Sequence, residues 1–144
     1  MATERSAQVT WQGDLMSGSG EIHEVPSGAF GPLQVTWASR TEDHGGKTSP
    51  EELIAAAHAA CFAMALSHGL AQAGNAPERL ETGATLEFVP GTGITKAALT
   101  VVGSVRGIDE AAFKDAAEQA KDGCPVSSAL KGNVELSLDA RLQN

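Results

Sequence analysis

Up to about position 39, apolar residues come in short alternating runs separated by clusters of Gly, Ser and Pro. Successive side chains of a strand point to opposite faces, so this alternation predicts strands over 7–12, 20–25 and 33–39. The pattern then changes. After a polar, glycine-containing loop at 41–47, positions 53–70 carry no charge. The entry into this run has helix-starting chemistry: Ser49 suits the N-cap, Pro50 the first helical position, and Glu52 the carboxylate of a capping box. Gly74 and Asn75 supply a stop, so one helix is predicted from Pro50 to about Ala73.

Alternation returns over 79–89 and 95–106, on either side of Pro-Gly-Thr-Gly at 90–93, and predicts a hairpin. Ala112, Phe113, Ala116 and Ala120 recur at helical spacing behind a capping Asp109 and predict a second helix over 109–121. A short helical turn is expected after Pro125. Val134, Leu136, Leu138 and Ala140 alternate inward, so the chain closes with a strand over 133–142. This order predicts a single α+β domain over residues 1–144, its antiparallel sheet packed on a long central helix.

A helix that is apolar all round must be covered all round, and a chain of 144 residues has few elements to spare for it. A membrane is one cover. However, the run contains His58, Ser67, His68 and Gly69 and is rich in alanine, which favours a buried helix in a soluble protein. A second subunit is the simplest cover, because the alanines between 55 and 65 let two helix backbones approach closely. Such a contact is most economically a two-fold pairing. The formal net charge of −8 and pI near 4.9 argue against nucleic acid and anionic membrane surfaces as partners. Met-Ala-Thr-Glu-Arg-Ser at the start has no signal-peptide layout, so a cytoplasmic protein with reduced thiols is expected.

The two cysteines, Cys61 and Cys124, sit in different settings. Cys61 lies inside the uncharged helix, well past its first turn, where the helix dipole has faded. Its thiolate needs a cationic side chain. Arg40 is a candidate, and Glu51, which the capping box does not use, is suited to orient a guanidinium. Glu51 and Cys61 are ten positions apart, roughly 15 Å along one straight helix, and cannot meet within one subunit. A shared site therefore requires an antiparallel partner helix. Cys124 lies in Gly-Cys-Pro-Val-Ser, at the expected N-cap of a short helix, a setting that favours a thiolate. His58 shares a helical face with Cys61, but no CxxC or HxxxH spacing supplies a metal-ligand set, and a hydrogen-bonded core residue is its commoner fate. No phosphate loop, dinucleotide fingerprint or nucleophile elbow is present, so no cofactor is expected.

Thr-Ser-Pro-Glu-Glu-Leu-Ile-Ala-Ala-Ala-His-Ala-Ala-Cys-Phe-Ala-Met-Ala-Leu at 48–66, Gly-Ile-Asp at 107–109 and Ala-Lys-Asp-Gly-Cys-Pro-Val-Ser-Ser-Ala-Leu at 120–130 together resemble the OsmC/Ohr family of thiol peroxidases. Ala-His-Ala-Ala-Cys-Phe is more similar to the osmotically inducible (OsmC) branch than to the organic hydroperoxide resistance (Ohr) branch. The resemblance implies an intertwined two-fold homodimer with sites shared across the interface. It implies that Cys61 is the peroxidatic cysteine, Cys124 the resolving one, and Arg40 and Glu51 the pair that activates the thiolate. It also implies reduction of organic hydroperoxides, and more weakly of hydrogen peroxide, without haem, flavin or metal. The implied reductant is a dithiol such as dihydrolipoamide or a lipoylated protein. Phe30, Phe62 and Met64 are apolar candidates for an alkyl-binding wall. The roles of His58, Glu42 and Ser127 stay open. So do two other readings: a redox sensor on the same scaffold, and a structural stress protein with inert thiols.

Overall fold

Turn chemistry organises the first of two compact units, Met1–Pro50 and Glu51–Asn144, into which the computed structural model of residues 1–144 divides. β1 (Gln8–Gln12) and β2 (Ser19–His23) pair antiparallel, with Gln12 opposite Ser19. Between them Gly13 takes a positive φ of 92°, and Asp14 accepts hydrogen bonds from the Ser17 N–H (2.8 Å) and hydroxyl (2.6 Å). Such an Asx-stabilised turn holds the two strands in register. β3 (Leu33–Val35) adds antiparallel to the other side of β2.

The strand expected over 33–39 stops at Val35. Thr36 caps a short helix α1 (Trp37–Thr41): its hydroxyl accepts from the Ser39 N–H, and the Ser39 hydroxyl accepts from the Thr36 N–H, both at 3.0 Å. This reciprocal box satisfies two donors that a strand would have spent on a neighbour. Arg40 consequently lies in the last turn of a helix rather than at a strand end. The loop beyond α1 folds back on β3, where Thr48 N–H donates to Gln34 carbonyl (2.9 Å) and Ser39 hydroxyl to Thr48 carbonyl (2.8 Å).

α2 (Pro50–Gln72) is the long helix, carrying Phe62, Leu66 and Leu70 into the core of the second unit. β4 (Arg79–Val89) and β5 (Gly93–Ser104) form the expected hairpin. Its turn closes with Thr92 N–H on Val89 carbonyl (2.9 Å), and Gly91 and Gly93 supply the positive φ. Ala97, Leu99 and Val101 alternate into the core at no more than 1% exposed. α3 (Glu110–Gly123) begins where Asp109 accepts from the Ala112 N–H at 2.8 Å, and it buries Phe113, Ala117 and Ala120. Ala117 thus takes the inward place expected of Ala112.

α4 (Pro125–Leu130) follows α3 directly, and β6 (Glu135–Leu142) then joins β5 in parallel. The second sheet, ordered β4-β5-β6, is therefore mixed, where wholly antiparallel sheet was expected. The reason is connectivity: a helical segment between two strands carries the chain back to the starting end, which a tight hairpin cannot do. Gly103 permits the closest packing in this unit. A Cβ there would run into the Phe113 ring, which is fully buried against the strand.

Candidate active site

Two helices carry the sulfur atoms. Cys61 is half-buried on α2, and Cys124 is fully buried at the junction of α3 and α4. Cys124 ends one helix and begins the next: its N–H donates to Ala120 carbonyl (2.9 Å), and its own carbonyl accepts from Ser128 N–H (3.0 Å). Pro125 at the first position of α4 has no N–H to leave unpaired, which is why the sequence can turn so sharply here. The junction brings the free thiols of Cys61 and Cys124 together, near enough for each to shift the titration of the other.

The surroundings of the two sulfurs differ. Burial pushes the Cys61 thiol above its ordinary range; the hydrogen bond with Cys124 and the charge of Cys124 add to this, and the Val126 N–H only partly offsets them. Burial would raise Cys124 as well, but the Cys61 thiol, the Ser127 N–H and hydroxyl, and the Val126 N–H near its sulfur outweigh it and bring that thiol down, without a formed helix-cap hydrogen bond to the sulfur. Within one chain, therefore, the charge shared by the pair rests on Cys124. Cys61 gains no such help from its own helix, as its position far from the helix start led us to expect.

One turn from this contact lies a second one. His58, on α2, places Nε2 2.8 Å from the Ser127 hydroxyl oxygen on α4. Both are buried, at 0% and 1% exposed. His58 is thus a hydrogen-bonded core residue, and burial holds its imidazole below the usual histidine range. The sequence signal for this second contact was the spacing alone: His58 and Cys61 are three apart, as are Cys124 and Ser127.

Glu51 is buried at 7% exposed in the first turn of α2 and, at roughly 15 Å along the axis, does not meet Cys61 of its own chain. Arg40 belongs to the first unit, where its guanidinium lies over the Trp37 ring at 5.8 Å from the centroid. Of the apolar candidates, Phe62 is sealed in the core at 0% exposed, whereas Met64 and Phe30 are 70% and 47% exposed.

A family model described as OsmC-like protein matches residues 43–139, a span that includes both cysteines. The chain belongs to the OsmC-like protein family. It is 42% identical to the peroxiredoxin OsmC of Escherichia coli, over the full length of both chains. It is 32% identical to the organic hydroperoxide resistance protein OhrB of Bacillus subtilis, over 65% of this chain and 70% of that one. The full-length likeness thus lies with the OsmC branch. Among solved structures, an OsmC-like protein from Mycoplasma pneumoniae superposes over the whole of both chains with a TM-score of 0.75, at 13% identity. Two small sheets with a long helix are therefore the OsmC-like fold.

Proposed function

We propose that this OsmC-like chain is a cysteine-based hydroperoxide reductase. It reduces organic hydroperoxides, and more weakly hydrogen peroxide, to alcohols or water as part of the oxidative stress response. The observation that carries the reading is the contact between two free thiols with unequal surroundings. The names of the Escherichia coli and Bacillus subtilis relatives support it.

Cys61, more open to solvent, is the peroxidatic cysteine. Its thiolate attacks the distal peroxide oxygen; the O–O bond breaks, the alkoxide takes a proton and leaves as alcohol, and Cys61 becomes a sulfenic acid. Cys124, buried and with its thiol brought below its ordinary range, is placed to resolve it. Its sulfur displaces hydroxide from the Cys61 sulfenic acid, which leaves as water, and a Cys61–Cys124 disulfide forms. An external dithiol such as dihydrolipoamide, free or on a lipoylated protein, reopens that bond by exchange. No haem, flavin or metal enters this cycle, which suits a reducing cytoplasm.

Because Cys61 is pushed up within its own chain, the reading assigns its activation to Arg40, with Glu51 orienting the guanidinium. The spacing along α2 assigns Glu51 to the Cys61 of a partner subunit, in a homodimer with shared sites. Incomplete cover on α2 supports the dimer: only 22% of the residues in its most apolar 18-residue stretch are buried within the chain.

Consumption of cumene hydroperoxide with excess dihydrolipoamide tests the reading. Turnover should continue through many cycles and vanish in Cys61→Ser. In Arg40→Ala the chain should stay folded while attack on peroxide slows and the Cys61 thiol titrates higher. Consumption of one peroxide per chain, with no further cycle, would identify a sensor instead.

A further inference from the structure

The cycle above uses neither His58 nor Ser127, although both are almost completely buried. A buried polar side chain without partners is costly, and His58 keeps one nitrogen on the Ser127 hydroxyl while Nδ1 has no partner. Helical spacing sets the arrangement. α2 and α4 meet in two rungs one turn apart, sulfur on sulfur and imidazole on hydroxyl. Ser127 joins the rungs, because its hydroxyl also lies near the Cys124 sulfur and helps to bring that thiol down.

We propose that His58 is a positioning residue for disulfide closure: its neutral ring donates Nε2–H to Ser127 Oγ, which directs the single Ser127 hydroxyl proton onto the Cys124 sulfur and holds the attacking thiolate. This inference rests on the peroxidase reading and assigns a residue that the reading leaves without a task. A neutral imidazole has one N–H and one lone pair. Placing the N–H at Nε2 gives it the Ser127 acceptor and leaves only a lone pair unpaired at Nδ1; the other tautomer strands a buried donor. Burial keeps the ring uncharged, so it acts as a dipole and not as a competing cation. The titratable groups joined to this hydrogen-bond chain are Cys124 and, through it, Cys61. In closure the Cys124 thiolate attacks the Cys61 sulfenic sulfur, the S–S bond forms, and the S–O bond breaks. The departing hydroxide takes the proton that Cys124 released and leaves as water. The His58 proton stays in place.

The test separates the two steps. Wild type, Ser127→Ala, Ser127→Thr and His58→Phe are mixed with one equivalent of cumene hydroperoxide, quenched with an alkylating agent, and read by intact mass as sulfenic acid and disulfide over time, across pH. Losing the hydrogen bond should raise the Cys124 thiol, and each unit of rise cuts its thiolate about tenfold below the thiol range. The more basic thiolate is about threefold more nucleophilic per unit. For each unit of rise, closure in Ser127→Ala should therefore be about threefold slower than wild type near neutrality and about threefold faster at the alkaline plateau, so that the pH profiles cross. His58→Phe should follow Ser127→Ala, and Ser127→Thr, which keeps the hydroxyl, should follow wild type. Should His58→Phe fail to fold, Ser127→Ala carries the test, since its sulfenic acid formation reports a competent Cys61. A closure profile in Ser127→Ala that is unchanged, or lower by one factor at every pH, overturns the inference and leaves the peroxidase reading standing. Absence of any sulfenic acid or disulfide in wild type overturns both.

Discussion

Replacing Cys124 by alanine should make Cys61 a stronger acid, even though it removes the partner that completes the proposed cycle. In the wild-type chain burial raises the Cys61 thiol first, and the Cys124 hydrogen bond and charge raise it further. Cys124→Ala deletes the hydrogen bond and the charge. It leaves burial on one side and the Val126 N–H on the other. A like charge in contact holds a neighbouring thiol up, so its loss should move the Cys61 midpoint downward. Below the thiol range each unit of that movement means about tenfold more thiolate, partly offset by about threefold lower nucleophilicity, for a net gain of about threefold per unit in alkylation rate. The assay is the pH profile of iodoacetamide alkylation at Cys61, read by intact mass in the variant and by peptide mapping in wild type. A Cys61 midpoint that stays in place or moves up in Cys124→Ala would refute the assignment of the shared charge to Cys124.

Gly103→Ala drives a Cβ into the Phe113 ring between β5 and α3, an overpacking expected to cost about 1–3 kcal/mol in urea unfolding. Gly103→Ala with Phe113→Leu should cost less than the two separate changes added together, because the smaller side chain opens the space. His58 gives the fold an acid sensitivity. Its folded value lies below its ordinary 6.5, so as pH falls through that value the unfolded chain takes up a proton before the folded one. Stability is therefore full above the ordinary value and declines as pH falls toward the folded one, by at most about 1.4 kcal/mol per pH unit, and His58→Gln should lack this component in unfolding measured against pH. For the proposed dimer, Met64→Asp places a charge on an exposed apolar position of α2 and should shift sedimentation from twice the 14.8 kDa chain mass toward the single chain.

The long helix could be read from the sequence because several signals agreed: Ser49 and Pro50 at its start, an uncharged run, and Gly74 after its end. At α1 the signals conflicted. Leu33 to Val35 alternates like a strand, and Trp37 and Ala38 extend the apolar pattern, but Thr36 and Ser39 form a capping box in which serine stands where glutamate is the usual marker. The parallel pairing of β6 was unreadable from its alternation, because side-chain period reports which face is buried and not which way the strand runs. At the site, the separate chemistries of Cys61 and Cys124 were visible in their flanking residues. Their pairing was expected from the family resemblance alone, since it depends on how α4 docks on α2 and not on either set of flanking residues. The link between His58 and Ser127 comes from the same docking, and each residue alone reads as an ordinary polar residue of a helix.

In the proposed cycle the two thiols work as an unequal pair, Cys61 oxidised first and Cys124 closing on it. The most direct measurement is the intact mass of the protein after a limiting amount of cumene hydroperoxide, followed by peptide mapping and then by addition of dihydrolipoamide. The account predicts a loss of two hydrogens, a crosslink joining the Cys61 and Cys124 peptides, and full recovery of the starting mass with the dithiol; Cys124→Ala should instead hold one added oxygen on Cys61. Stable oxygen on Cys124 with Cys61 still a thiol, or a native protein whose mass peroxide does not change, would contradict it.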